Sequence, residues 1–472
     1  MKKNYVANEL ADYALNLNYN DIPPEVTKRT KTVILDTIGT ALVGSEMPWA
    51  KAVYQFVLDQ GGNGESSICR YGDKTSCSYA AFVNGTFSHS QDFDDQYAYG
   101  PLHPSAQVWV AIPLGERLKA SGKDIIVSTV LGYDLTVRLA EACFSVPAGE
   151  RALTNRGFQG QAVCGTLAAA AQAGKMIGLD NEKIASAIGI ACSYPGGIIE
   201  FLKDGTDTKR FHFGKASQQG ITSAFLSKNG FKGPQSGIEG PRGFLHAYSG
   251  DYDISKVTEE LGNRFDIMQS TIKHYPIMYG NQTAVEALLY IMDKYKIVSS
   301  EIDIIYVKIR SIFAAYGISY FGETHTKYKP PTRLAAEMSL PYALAIAALE
   351  GDIRLEHLED NKRNDPRLLE LASRVNVEAI SEFDNLSRQD AYAPSRVTVI
   401  TKDGKEFTET RYHPKGDPRN PLTKSEILDK FRDNVSRVNM KKKQIEQIIQ
   451  LVSKLDEVND INELTRLFKI QN

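Results

Sequence analysis

The 472-residue chain holds only five cysteines, Cys69, Cys77, Cys143, Cys164 and Cys192, and no two of them form a C-x-x-C pair. That scarcity argues against a zinc knuckle, a redox dithiol or an iron–sulfur cluster held in a compact motif. Cys164 and Cys192 lie in small, apolar stretches that read as helix, where a free thiol is normally interior. Long apolar runs are missing as well. The most apolar windows, 162–174 and 340–349, fall well short of the roughly 20 residues that a membrane-crossing helix needs. Lys2 and Lys3 run into Asn8, Glu9 and Asp12 without an apolar core, so no secretory signal is read and the cytoplasm is the expected location. Neither sign of charge is in excess: 55 Lys and Arg against 57 Asp and Glu leave a formal net charge of −2. Nucleic acid and membrane surfaces are therefore not expected partners, and an anion has to be met by a local cluster of cations.

What the chain does have is length and helical patterning. It is too long for one ordinary core, so two domains are expected. Ile22-Pro23-Pro24 opens a helix, proline being tolerated in the first turn, and Val26, Ile34, Leu35, Ile38 and Leu42 follow as a broad apolar stripe. The small residues around Gly39, and the Gly- and Ala-rich stretch 162–179, predict helices whose neighbours come close. Asp180 is placed to cap a helix over 181–192, and a further helix over about 219–228 stops at Asn229-Gly230. Near residue 266 the character changes. Residues 302–310 are β-branched and short enough for a strand, and 396–401 with 406–409 flank Asp403-Gly404 as a hairpin. Between them 334–349 reads as one buried helix closed by Gly351, and beyond them Thr423 and Glu426 form a capping box. The fold class predicted is mainly α. A large all-helical domain is built from both chain ends, 1–265 with 413–472, and a smaller α+β unit, 266–412, is inserted as a lid.

Three segments concentrate polar residues that a helical core does not request. The first, 88–106, offers Asp92, Asp94 and Asp95, then His103 ahead of Pro104. A carboxylate beside an imidazole sets the tautomer and raises basicity, as a general base requires. No second histidine is read at a convenient spacing, so no metal is expected. The second, 204–216, brings Lys209, Arg210, His212 and Lys215 between Gly205 and Gly214, as in an anion-binding turn feeding a helix N-terminus. It is not a P-loop, because no G-K-[ST] occurs. The third, 272–282, places Lys273 and His274 before Tyr275-Pro276.

Taken together, LDTIGTALVGS (35–45), VNGTFSHSQDFDD (83–95), HPSA (103–106), GTDTKRFHFGKASQQGI (205–221), IKHYP (272–276) and RLAAEMSLPYALAIAALEGD (333–352) resemble the MmgE/PrpD family. That family includes 2-methylcitrate dehydratase, cis-aconitate decarboxylase and iminodisuccinate epimerase. The likeness implies a helical domain with a lid, an interdomain cleft, no cofactor, a homodimer and a small polycarboxylate substrate. It assigns catalytic positions to Asp92, His103, Lys209, Lys273 and Tyr316. In that scheme the lysines hold carboxylates, His103 oriented by Asp92 moves the proton, and Tyr316 donates from another side. Gln159, His212 and His274 are expected to bind substrate. Two positions depart from the pattern of the decarboxylases: Gln159 and Met278 stand where those carry histidine. Glutamine hydrogen-bonds but cannot shuttle a proton at neutral pH. The reaction expected is loss of water from a hydroxy acid, as in 2-methylcitrate dehydratase. Dicarboxylate epimerisation and cis-aconitate decarboxylation are its alternatives, and a non-catalytic carboxylate-binding protein is the reading from another class.

Overall fold

The computed structural model describes residues 5–144, 152–314 and 325–470, and the fold is mainly α. Tyr316 lies outside the described residues. Among them no helix is long and apolar enough to cross a membrane.

The helices that carry the larger core are α1 (Val6–Asn16), α2 (Pro24–Gly44), α3 (Pro48–Gln60), α4 (Cys77–Ser88), α5 (Val108–Leu118), α6 (Gly122–Phe144), α7 (Gly160–Met176), α8 (Asn181–Ala191) and α9 (Thr208–Lys228). As the proline pattern predicts, α2 begins at Pro24, and Asp180 caps α8 by accepting from the Lys183 amide at 2.9 Å. Cys164 is buried in α7, whereas Cys192, just beyond α8, is only partly covered. The small residues of α2 do mark a close approach, because a Cβ on Gly39 would come 2.8 Å from Phe431 near the far end of the chain.

Two expectations need correction. The cationic stretch is not a turn before a short helix: from Thr208 it is already helical, so Lys209, Arg210, His212 and Lys215 occupy the first turns of one 21-residue helix. Gly214 is a contact rather than a break. It lies where α9 crosses α4, and an added Cβ would stand 1.8 Å from the Phe82 carbonyl oxygen. Two turns on, a Cβ on Gly220 would stand 2.3 Å from Ala169 Cβ on α7. Helix α9 is thus clamped between α4 and α7 at backbone distance, which explains why all three are poor in large side chains at the crossings.

A smaller apolar core gathers residues from Tyr275 to Val399, while the larger one takes residues from Ala7 to Ile272 and again from Leu422 to Phe468. In the smaller core α10 (Tyr279–Tyr295) packs on a four-stranded sheet. Its strands are β3 (Ile302–Ile309), β4 (Val375–Ala379), β5 (Ser395–Thr401) and β6 (Glu406–Arg411), in the order β4-β3-β5-β6. The β3–β4 pair is parallel and the other two are antiparallel. The expected hairpin is β5–β6, with Gly404 at φ 81°, a value glycine adopts without penalty. A short antiparallel pair, β1 (Gln96–Tyr97) with β2 (Ser270–Thr271), fastens the chain where it leaves the larger core.

The second correction concerns 334–349. The chain forms two helices, α11 (Arg333–Met338) and α12 (Leu340–Glu350), divided at Ser339, whose hydroxyl caps α12 by accepting from the Tyr342 amide. Pro341, in the first turn of α12, supplies no amide to the Glu337 carbonyl, which accepts from the Met278 amide at 2.9 Å instead, so one helix does not run through Ser339. Two more helices, α13 (Lys424–Ser436) and α14 (Lys442–Ser453), return to the larger core, α13 starting at the Thr423–Glu426 capping box.

Two measurements check this packing. Gly214→Ala adds helix propensity yet forces α9 away from α4, so stability should fall by about 1–3 kcal/mol and the thermal midpoint with it; an unchanged midpoint would show that the helices can part freely. Glu286 on α10 accepts the Lys415 amide at 2.6 Å, and burial pushes its carboxyl up to about 7. The folded state therefore favours the protonated acid. This contribution is fully present below the ordinary glutamate range and is lost as pH rises through about 7. Glu286→Gln, which keeps the acceptor oxygen, should gain stability over the parent progressively from pH 5 to pH 8. A constant difference would count against the assignment.

Candidate active site

Helix α4 ends at Ser88, and the loop behind it turns sharply at Asp92, whose φ of 51° lies in the left-handed region that few non-glycine residues adopt. The turn is held from three directions. Lys209, in the first turn of α9, donates from Nζ to Asp92 Oδ1 at 2.6 Å. Lys273, just after β2, donates from Nζ to the Asp92 carbonyl oxygen at 2.9 Å and lies 3.3 Å from Oδ2. Lys430 on α13 donates to the next carbonyl, that of Phe93, at 2.9 Å and pairs with Asp36 of α2 at 2.7 Å. Asp92, Lys209 and Lys273 are all buried. Burial alone would raise the Asp92 carboxyl, but Lys209 and then Lys273 outweigh it and hold it well below the usual range. Burial lowers Lys209 from the ordinary lysine value, and Asp92 opposes that shift.

His103 is oriented differently from the sequence expectation. Its Nδ1 lies 2.6 Å from the Asp95 carbonyl oxygen and 3.3 Å from Asp94 Oδ2. A carbonyl oxygen only accepts, so Nδ1 carries the hydrogen and Nε2 keeps the basic lone pair. Asp92 is engaged by the lysines, so the orienting carboxylate is that of Asp94. Asp94 also accepts from Nδ1 of His89, at 3.0 Å to each oxygen. Burial pushes His89 well below the usual imidazole value, so it stands neutral, with its ring stacked 3.5 Å from that of Phe213. Burial would raise the Asp94 carboxyl, but His89 and then His103 outweigh it and keep it low.

His89 is therefore the second histidine that the sequence reading did not find, five residues before Asp94 in the same loop. His89, Asp94 and His103 bring ligand atoms within 4.8 Å of one another, a spacing that a metal ion can use. Both Nδ1 atoms act as hydrogen-bond donors in this arrangement, which makes the trio a hydrogen-bonded relay.

The charged cluster opens on a cavity of about 110 Å³. Asp92, His103, Gln159, Lys209 and Lys273 line it, so five of the eight site residues expected from sequence share one space. Met278 lines it too, as do Gln96 of β1 and, from the smaller core, Tyr279, Phe313 and Tyr392. None of these aromatic residues carries a sequence signal that separates it from core. His212 stands behind the wall, with Nδ1 2.5 Å from Gln159 Oε1. Burial, followed by Lys215, lowers His212 to about 3, so it is neutral. His274 is not among the lining residues. Arg210, part of the expected cationic cluster, turns instead to Glu337 of α11 at 2.8 Å, with its guanidinium 4.7 Å from the Trp49 ring. It ties α9 to the smaller core.

Chemically, the cavity presents an imidazole nitrogen fixed as proton acceptor beside two lysine ammonium groups. That combination suits a reaction in which negative charge develops next to a carboxylate.

Comparison with known proteins agrees in extent. Residues 8–256 match the MmgE/PrpD N-terminal domain and residues 275–455 the MmgE/PrpD C-terminal domain. The cis-aconitate decarboxylase-like protein oryM of Aspergillus oryzae is 27% identical over 451 residues, covering 92% of this chain and 91% of that protein. Cis-aconitate decarboxylase of Aspergillus terreus is 28% identical over 449 residues, 91% and 89% of the two chains. The Homo sapiens protein of the same name is 28% identical over 432 residues, 89% and 86%. With both domain matches in sequence order and the loop, lysine and histidine geometry in one cleft, the chain belongs to the MmgE/PrpD family.

Proposed function

We propose that this chain is a lyase that removes water from a small 2-hydroxy polycarboxylate. The observation that carries the reading is His103, its Nδ1–H tied to the Asp95 carbonyl and facing Asp94, in the same cavity as Lys209 and Lys273. The lysines receive a substrate carboxylate. His103 Nε2 takes the proton from the carbon beside that carboxylate, and the electron pair forms the double bond as the C–O bond of the neighbouring hydroxyl breaks. The charge that builds on the carboxylate is met by ammonium groups already in place. The hydroxyl leaves as water, and the proton held by His103 is available to it. Gln159, steadied by His212, offers a hydrogen bond but no proton. In this reading the unit of residues 266–412 serves as a lid over the cleft. The homodimer rests on the family resemblance alone, and the cytoplasmic setting is carried over from the reading of the sequence.

Decarboxylation is the second reading, favoured by the names that the relatives carry. Proton NMR of the protein in D2O with citrate, methylcitrate and cis-aconitate separates the two. Dehydration forms an alkene with no release of CO2, whereas decarboxylation releases one CO2 per turnover. Exchange of a substrate α-proton with neither product would point to an epimerase. His103→Ala should lower kcat by roughly 10²-fold or more, the span of a general acid–base group. Asp94→Asn leaves the Asp95 carbonyl in place but takes away the carboxylate, and should also lower kcat by roughly 10²-fold. Near-normal turnover in either variant would remove His103 from the proton-transfer role.

A further inference from the structure

Apart from the larger and smaller cores there is a small apolar cluster of Phe201, Leu334 and Met338, with Ile199, Leu202 and Met278 packed against it. Five of these six residues, all but Leu334, also line the cavity. The cluster thus presents one continuous face to the space that holds the lysines. No charged side chain interrupts it among the described lining residues, whose only formal charges are those of Asp92, Lys209 and Lys273. Asp92 spends one of the two positive charges internally, so the described wall carries a net +1.

Among the described lining residues, a third carboxylate set against this face would meet no cation. An ionised carboxylate without a partner at an apolar wall is strongly disfavoured, whereas an alkyl group there gains from burial. Met278 sharpens the point, because it puts a flexible thioether chain, adaptable to an apolar ligand, at the seam between the cluster and the smaller core.

We infer that the preferred substrate is a 2-hydroxy dicarboxylate bearing an alkyl arm, with the two carboxylates toward Lys209 and Lys273 and the arm against Ile199, Phe201, Leu202, Met278 and Met338. This rests on the reading of the cleft as the active site of a lyase and names its substrate class.

Citrate and 2-isobutylmalate make the test, because they share one skeleton and nearly one shape. Citrate is malate with a carboxymethyl group on the hydroxyl-bearing carbon, and 2-isobutylmalate replaces that group's carboxylate by isopropyl, with a methyl in place of each oxygen. The full-length protein should convert 2-isobutylmalate with a kcat/KM at least tenfold above that for citrate, since even one methylene in an apolar pocket changes specificity by roughly 10-fold or more. Met278→Lys, which supplies a cation at the seam, should narrow or reverse that ratio. Equal or better turnover of citrate by the parent protein overturns the substrate class and leaves the lyase reading standing. If neither acid is converted, the lyase reading fails for this pair, and calorimetric Kd values still decide the arm. Tighter binding of 2-isobutylmalate by tenfold or more supports the apolar subsite, and equal or tighter binding of citrate refutes it.

Discussion

The structure turns on one carboxylate. Asp92 sits in a backbone conformation that costs free energy for a non-glycine residue, and it stays there because two buried lysines close on it. Each lysine comes from a different part of the chain: Lys209 from the helix clamped between α4 and α7, Lys273 from the segment that leaves the larger core. The ion cluster therefore fixes the loop, the helix and the exit segment relative to one another. Breaking it by removing one member would strand a buried charge, which is far more costly than never having built it. That asymmetry makes the cluster a rigid reference against which His103 is placed.

The division of labour among the three aspartates follows from where each points. Asp92 is spent on lysines, Asp94 on histidines, and Asp95 contributes its main-chain oxygen to His103 and its carboxylate to Tyr133 at 3.0 Å. Three acids within four residues look interchangeable as letters. Their roles are set by a loop that bends at Asp92 and again at Asp94, so that neighbouring side chains serve different partners. The same loop explains how His103 obtains a defined tautomer in a buried setting without consuming the cations that the cleft needs.

Much of the architecture was legible from local chemistry. Pro24, Asp180, Thr423 and Gly404 act within a few residues of themselves, and their caps and turns are where the sequence puts them. What was not legible depends on distant contact. Gly214 reads as a turn residue until α4 is laid against it. Ser339 reads as helix interior, although Pro341 two residues on lies in the first turn of a new helix and lacks the amide that would continue the old one. His89 has no special spacing in the sequence; it becomes a partner of His103 only because the loop folds both onto Asp94. The residues of the cleft were visible as polar excess in otherwise apolar surroundings, and the apolar wall opposite them was not, since a cavity lined by Ile, Leu, Phe and Met reads as core.

Lys430 bears on how the molecule comes into being. This side chain from α13, near the end of the chain, supplies the donor that holds the Phe93 carbonyl and the charge that meets Asp36. During synthesis the first 272 residues can collect most of the larger core, yet the loop that bears Asp92 lacks this support until α13 has emerged from the ribosome. Until then Asp36 is a carboxylate without its cation, and the seam of α2 around Gly39 is open where Phe431 will sit. Support of the loop that bears Asp92 in this way waits for α13, and a nascent or truncated chain ending before α13 would present a helical body in which that loop is not yet held.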